Sequence, residues 1–159
     1  MPPHDIADIL RENMMPVAPN GLKQVHLTDG SITSANEAAM SIAFLRYAEQ
    51  HKRDYAKLSV LGFENGSHGN SVATLSCSDD AVNTQNISTF DWPVAPLPKL
   101  KYPLAAHEHE NRKEEDRCLD EFKNVLAERR ASGSDVAAII VEPITHFNNK
   151  SATPYFYKQ

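Results

Sequence analysis

Asp135-Val136-Ala137-Ala138-Ile139-Ile140-Val141-Glu142-Pro143 is the stretch whose reading decides the fold. Its unbroken apolar run, rich in β-branched residues, suits a strand covered on both faces, the pattern of a parallel sheet lying inside helices. The expectation is a central strand. A carboxylate followed by proline marks the carboxyl end, where such a sheet stops and where open α/β sheets place their ligands. The run therefore points to a site at Glu142.

Working outward, the residues before this strand form a helix over Ala105 to Arg130. Cys118, Leu119, Phe122, Val125 and Leu126 lie on one stripe, and Gly133 supplies the stop. Glu108 and Glu110 near its start, and Arg129 and Arg130 near its end, complement the helix dipole. Leu58 to Phe63 reads as a second buried strand, with the glycine-punctuated loop Glu64 to Asn70 at its carboxyl end. A helix from about Ala35 to Gln50 precedes it, and Ser34 with Glu37 has capping-box spacing at its start. Near the amino terminus, Ile6, Ile9, Leu10 and Met14 are at helical spacing over His4 to Met14, and Pro16 and Pro19 end that segment. Leu22 to Thr28 alternates weakly, in the manner of a strand. Ser78 to Pro103 is a long extended excursion, because Pro93, Pro96, Pro98 and Pro103 each remove a ladder donor or break a helix. The β-α-β rhythm predicts an α/β fold with a mostly parallel sheet and flanking helices. The end of the chain, Thr153 to Gln159, reads as the first turn of a helix that is not completed, so residues 1–159 are expected to be one incomplete domain.

The composition excludes several functions. A formal net charge of −5 without a basic stripe lacks the footprint of a nucleic-acid binder. Cys77 and Cys118 are far apart and without a CxxC spacing, which argues against both a disulfide framework and a cysteine zinc site and fits a reducing compartment. Pro2, Pro3 and Asp5 open the chain where a targeting signal would carry cations before an apolar run, and no stretch approaches membrane-spanning length. The expected location is the cytoplasm, with the mitochondrial matrix as the alternative.

Four places carry candidate chemistry. Ser31 to Ser34 before a helix start could hold a phosphate, since free N–H groups, hydroxyls and the positive dipole end converge there, or it is an ordinary helix cap. Gly66-Ser67-His68-Gly69 could set an imidazole over a ligand, or present a surface turn histidine. Glu142 is either a catalytic or positioning carboxylate or a structural one capping a neighbouring backbone. His107 and His109 invite a metal, but a spacing of two on a helix sends the rings to different faces. Cys77, between Ser76 and Ser78, lacks a cation to hold a thiolate.

Ser34-Ala35-Asn36-Glu37-Ala38-Ala39, then Gly66-Ser67-His68-Gly69, then Phe90 to Pro96 with Lys101 to Leu104, then Ile139 to Ile144 occur in the order seen in class III pyridoxal-phosphate aminotransferases, and nearly the whole chain resembles the middle portion of such an enzyme. The third stretch, continuing into Glu115-Asp116-Arg117-Cys118-Leu119, is similar to the 4-aminobutyrate aminotransferase group in particular. The resemblance implies part of the large domain of a type I fold, a homo- or hetero-oligomer with sites at the interface, and pyridoxal 5'-phosphate as cofactor. The phosphate cradle falls on Ile32 and Thr33, or on Gly30 and Ser31 if the alignment is gapped, and His68 and Gly69 keep the family's His-Gly. The aromatic that stacks on the cofactor ring corresponds to Ser67, and the arginine that grips the substrate carboxylate to Asn70, so the stacking face and the bidentate cation are both replaced. The acidic, glycine-rich segment after Val-Glu-Pro-Ile becomes Thr145 to Lys150. The paired cysteines of cluster-binding members correspond to Ser31 and Ser34, or to Asp29 and Ile32.

The aspartate for the pyridine nitrogen and the lysine for the aldehyde correspond to nothing in the sequence. Lys23, Lys52, Lys57, Lys99, Lys101, Lys113, Lys123, Lys150 and Lys158 all read as exposed or terminal. The resemblance thus implies a truncated, diverged pseudoenzyme, inactive by itself. The alternatives are a component of a split or hetero-oligomeric aminotransferase and a non-catalytic interaction protein.

Overall fold

In the computed structural model, residues 3–52, 54, 57–79 and 82–159 are described, which leaves Pro2 of the amino-terminal reading outside. Helix α1 spans Ile6–Asn13 and buries none of its residues. A short 3-10 turn over Met15–Val17 follows, with Pro16 at its start. The alternation in 22–28 predicts a strand, but this stretch takes no sheet partner among the described residues. Leu22 and Leu27 are 61% and 56% exposed, so no packing partner converts the pattern into a ladder.

Helix α2 covers Ile32–His51, starting three residues before the expected Ala35. Ser31 rather than Ser34 is the cap: its backbone is extended (φ −100°, ψ 147°), and its hydroxyl accepts the Ser34 N–H at 3.0 Å. The expected box between Ser34 and Glu37 does not form, because the Glu37 carboxylate instead accepts the Ser71 hydroxyl. Strand β1, Leu58–Phe63, is buried along its whole length. The short helix α3, Val72–Leu75, begins with a reciprocal box between Ser71 and Thr74, a Ser-x-x-Thr signal the sequence reading passed over. Within the excursion, Val94–Ala95 forms the two-residue strand β2. Leu104–His107 is a 3-10 turn that leads into α4, Glu108–Ala131, with the acidic first turn and basic last turn expected. Strand β3 is Asp135–Ile139, and a 3-10 turn at Phe156–Lys158 stands where a helical turn is expected.

All strand pairs are parallel, in the order β2-β1-β3. The apolar run beginning at Asp135 is therefore an edge strand and not the central one; β1 is central. The run is covered less than its pattern predicts: Ile139 is 53% exposed and Val136 to Ala138 are half-buried. Sheet order depends on long-range pairing, which an apolar run alone does not encode. On one face of the sheet Leu61, Phe63, Leu97, Cys118, Leu119 and Phe156 pack towards α4. On the other, Met40, Val60 and Cys77 pack with Phe44 and Trp92. Each large apolar side chain so buried contributes about 1.5–3 kcal/mol. The two layers hold the carboxyl ends of β1 and β3 side by side, and the loops that follow them meet there.

Candidate functional site at the carboxyl edge of the sheet

Three segments converge at this edge: the turn before α2, the loop after β1 and the loop after β3. The turn meets the first loop through side chains of α2. Asn36 donates its amide to the His68 carbonyl at 2.8 Å, and Thr33 Oγ1 accepts the Asn70 N–H at 3.2 Å. Gly69 (φ +131°) presses on Thr33 so closely that a Cβ there would lie 2.5 Å from Thr33 Oγ1, which makes glycine the residue this approach requires. The second loop is tied to the first by Glu142. Its Oε2 accepts the Ser67 N–H at 3.1 Å and the His146 N–H at 3.0 Å. Of the two roles open to Glu142, this is the structural one: the carboxylate holds backbone. The replaced segment after Ile144 closes on itself, with Lys150 donating its N–H to Thr145 Oγ1 at 3.0 Å and Thr145 donating to the Lys150 carbonyl at 2.8 Å.

The structure thus brings Thr33, which follows Gly30, Ser31 and Ile32 in the turn, against Gly69 and Asn70, with Asn36 holding the His68 carbonyl. His68 is not a surface turn histidine. It is 5% exposed, and its Nε2 has no hydrogen-bond partner among the described residues. Burial pushes its pKa down, with the Glu142 charge opposing. The Ser67 side chain has no aromatic face, and the Asn70 N–H is given to Thr33 Oγ1.

Asp29 was missed as a member of the site. Its Oδ1 accepts both the Ser31 N–H at 3.2 Å and the Ser31 hydroxyl at 3.1 Å. The Ser34 hydroxyl first, and Ser31 next, hold its carboxyl below the ordinary range. An Asp two residues ahead of a Ser at a helix start is the signal that could have found it. The segments that build the site are also one-sided in charge. Segments 24–45, 58–98 and 131–149 contain Asp and Glu but not one Lys or Arg.

The remaining candidates lie elsewhere. His107 Nδ1 faces Glu110 at 3.4 Å, and no group of three metal-ligating side chains occurs among the described residues. Burial raises the Cys77 thiol to about 12, as expected of an inert thiol. The nine lysines are all exposed.

Comparison with known proteins follows the same lines. The family model of class III aminotransferases matches residues 2–146. A 4-aminobutyrate aminotransferase of Dictyostelium discoideum is 37% identical over 99% of this chain and 35% of its own length. The mitochondrial 4-aminobutyrate aminotransferase of Rattus norvegicus is 35% identical over 91% of this chain and 32% of its own. Among solved structures, a lysine aminotransferase from M. tuberculosis superposes with a TM-score of 0.82 at 24% identity, over 99% of this chain and 36% of that one, which speaks for the fold alone. The chain spans about a third of the length of these relatives. No described helix is long and apolar enough to cross a membrane. The parallel sheet, the Thr33 and Asn36 contacts with the His-Gly loop, and the match over 2–146 agree: this chain belongs to the class III aminotransferase family.

Proposed function

We propose that this polypeptide is a 4-aminobutyrate aminotransferase-like protein that does not itself transfer amino groups. In the family, the activity is transfer of an amino group from an ω-amino acid to a 2-oxo acid, with pyridoxal 5'-phosphate supplying the electron sink. The observation that carries the proposal is Asn70. At the position where the family's arginine grips the substrate carboxylate, a neutral side chain stands in a sequence segment, 58–98, without Lys or Arg, and its backbone N–H is committed to Thr33 Oγ1. The residues present also fit the cofactor poorly. Ser67 replaces the stacking ring, the donors of Ser31 are taken by Asp29, and all nine lysines are exposed where a buried amine would be needed. The chain's own residues at this edge hold loops together: Glu142 fixes the Ser67 and His146 backbones, and Thr33 fixes Asn70.

The test is turnover of 4-aminobutyrate with 2-oxoglutarate by the purified 159-residue chain, with added pyridoxal 5'-phosphate. The expected rate is that of the protein-free control. Cofactor-dependent formation of glutamate above that control defeats the reading. The uncovered edge of β3 favours a second reading, in which another polypeptide completes the sheet and the site of a split or hetero-oligomeric enzyme. Under that reading the same assay stays silent with the chain alone and gains turnover when the completing polypeptide is added. A reducing compartment, cytoplasmic or mitochondrial, suits the two buried free thiols in either case.

A further inference from the structure

We propose that Asp29 is an internal anion, seated on the amino-terminal turn of α2, that keeps phosphate-bearing ligands off that turn; this rests on the reading that the turn corresponds to the family's phosphate cradle. Any anion bound there would use the donors of Ser31 and the first helical residues, because those groups lack acceptors within the helix. Asp29 Oδ1 already takes the Ser31 N–H and hydroxyl, at 3.2 and 3.1 Å. The Ser31 hydroxyl oxygen in turn holds the Ser34 N–H at 3.0 Å, so the carboxylate is built into the cap. The Ser34 hydroxyl also holds the Asp29 carboxylate, and the Thr33 hydroxyl oxygen accepts the Asn70 N–H at 3.2 Å.

Nothing steric closes the turn. Gly30 has open space where a Cβ would stand, and Ile32 is 76% exposed. What closes it is the Asp29 charge and its hold on the two Ser31 donors. The positive end of a twenty-residue helix attracts Asp29 for the reason it would attract a phosphate. Segments 24–45, 58–98 and 131–149, which carry the turn and the two loops, contribute no Lys or Arg to offset a second anion brought beside the first.

The experiment compares the full chain with its Asp29→Asn and Asp29→Ala variants in equilibrium dialysis against inorganic phosphate and pyridoxine 5'-phosphate. The latter lacks the aldehyde that would react with exposed lysines. Glu12→Gln, on α1, loses the same charge away from the turn and controls for net charge, and circular dichroism checks that each variant keeps its helix content. Both Asp29 variants are expected to bind each probe about three- to thirtyfold tighter than the unsubstituted chain and than the Glu12→Gln variant, with the gain shrinking as salt rises. Equal affinities in all four proteins, or no binding by any of them, overturn the inference. A gain in the Asp29 variants from a chain that nevertheless turns over 4-aminobutyrate leaves the inference standing and sinks the proposed function. No gain and no turnover does the reverse.

Discussion

At the scale of single residues, burial sets the chemistry. His68 is enclosed with its Nε2 unpartnered among the described residues, and desolvation lowers its pKa from the ordinary 6.5. A histidine whose folded pKa is depressed takes up its proton more readily when unfolded. Between the folded pKa and 6.5 the unfolded chain therefore binds more protons, and stability falls as pH drops below about 6.5. Thermal melts from pH 7.5 to 5.5 are expected to show this decline, and His68→Phe should flatten it. An equal slope in the variant would assign the decline to other groups. Cys77 obeys the same rule with the opposite sign: its thiol, pushed up to about 12, stays protonated and 0% exposed. An aromatic disulfide reagent is expected to leave it unmodified in the native chain and to react once urea unfolds it. Leu61, also 0% exposed in the central strand, is the position where truncation to alanine should cost most, about 2–5 kcal/mol in urea unfolding.

At the scale of elements, α4 is the organiser of the end of the chain. Glu115 is 2% exposed, and its Oε1 accepts the Thr153 N–H at 2.9 Å. Beside it Asp116 accepts the Tyr155 hydroxyl at 2.8 Å, and one turn earlier the Arg112 guanidinium lies 3.4 Å from the centre of the Tyr155 ring. Phe156 then packs edge-on to Phe63 of β1. Replacing Glu115 by alanine strips the half-buried Thr153 N–H of its acceptor, at a cost of about 1–3 kcal/mol. The variant should melt lower and lose residues 151–159 to carboxypeptidase faster than the unsubstituted chain; equal digestion rates would show that Phe156 alone seats the segment. This role of Glu115 was not legible in the sequence, because one acid among many on a charged helix carries no mark of burial. What was legible followed local periodicity: the run Leu58–Phe63 and the stripe through Cys118, Leu119 and Phe122. Ser31 and Ser34 were both plausible caps to α2, and the choice between them turned on Asp29, two residues upstream. At the site, the family stretches named Thr33, His68 and Asn70 as neighbours. The burial of His68 and the carboxylate on the turn came only from packing.

At the scale of the whole molecule, the edge position of β3 is the feature that the sequence pattern opposes. Natural edge strands are guarded by charge, proline or brevity. Here Val136 through Val141 carries no charge, and Ile139, Val141 and Ile144 are 53%, 36% and 64% exposed. Ile140 donates its N–H to Leu61 of β1 at 2.9 Å, so by the alternation of a strand the backbone groups of Ile139 face the open side. Beside that edge, Phe63, Leu119, Phe122, Phe156 and Tyr157 line an apolar groove of about 160 Å³ that continues the exposed surface. An uncharged, unpaired edge next to apolar surface favours association between copies, and the remedy is the one natural sheets use. Ile139→Lys places a cation on the open edge at a position already more than half exposed, so the folded monomer should lose little stability. In sedimentation velocity at rising concentration, the unsubstituted chain is expected to show masses above its 17.7 kDa while the variant holds at that value. A chain that stays monomeric throughout would mean that the edge is protected by its own twist and shortness, and that the exposed run needs no partner.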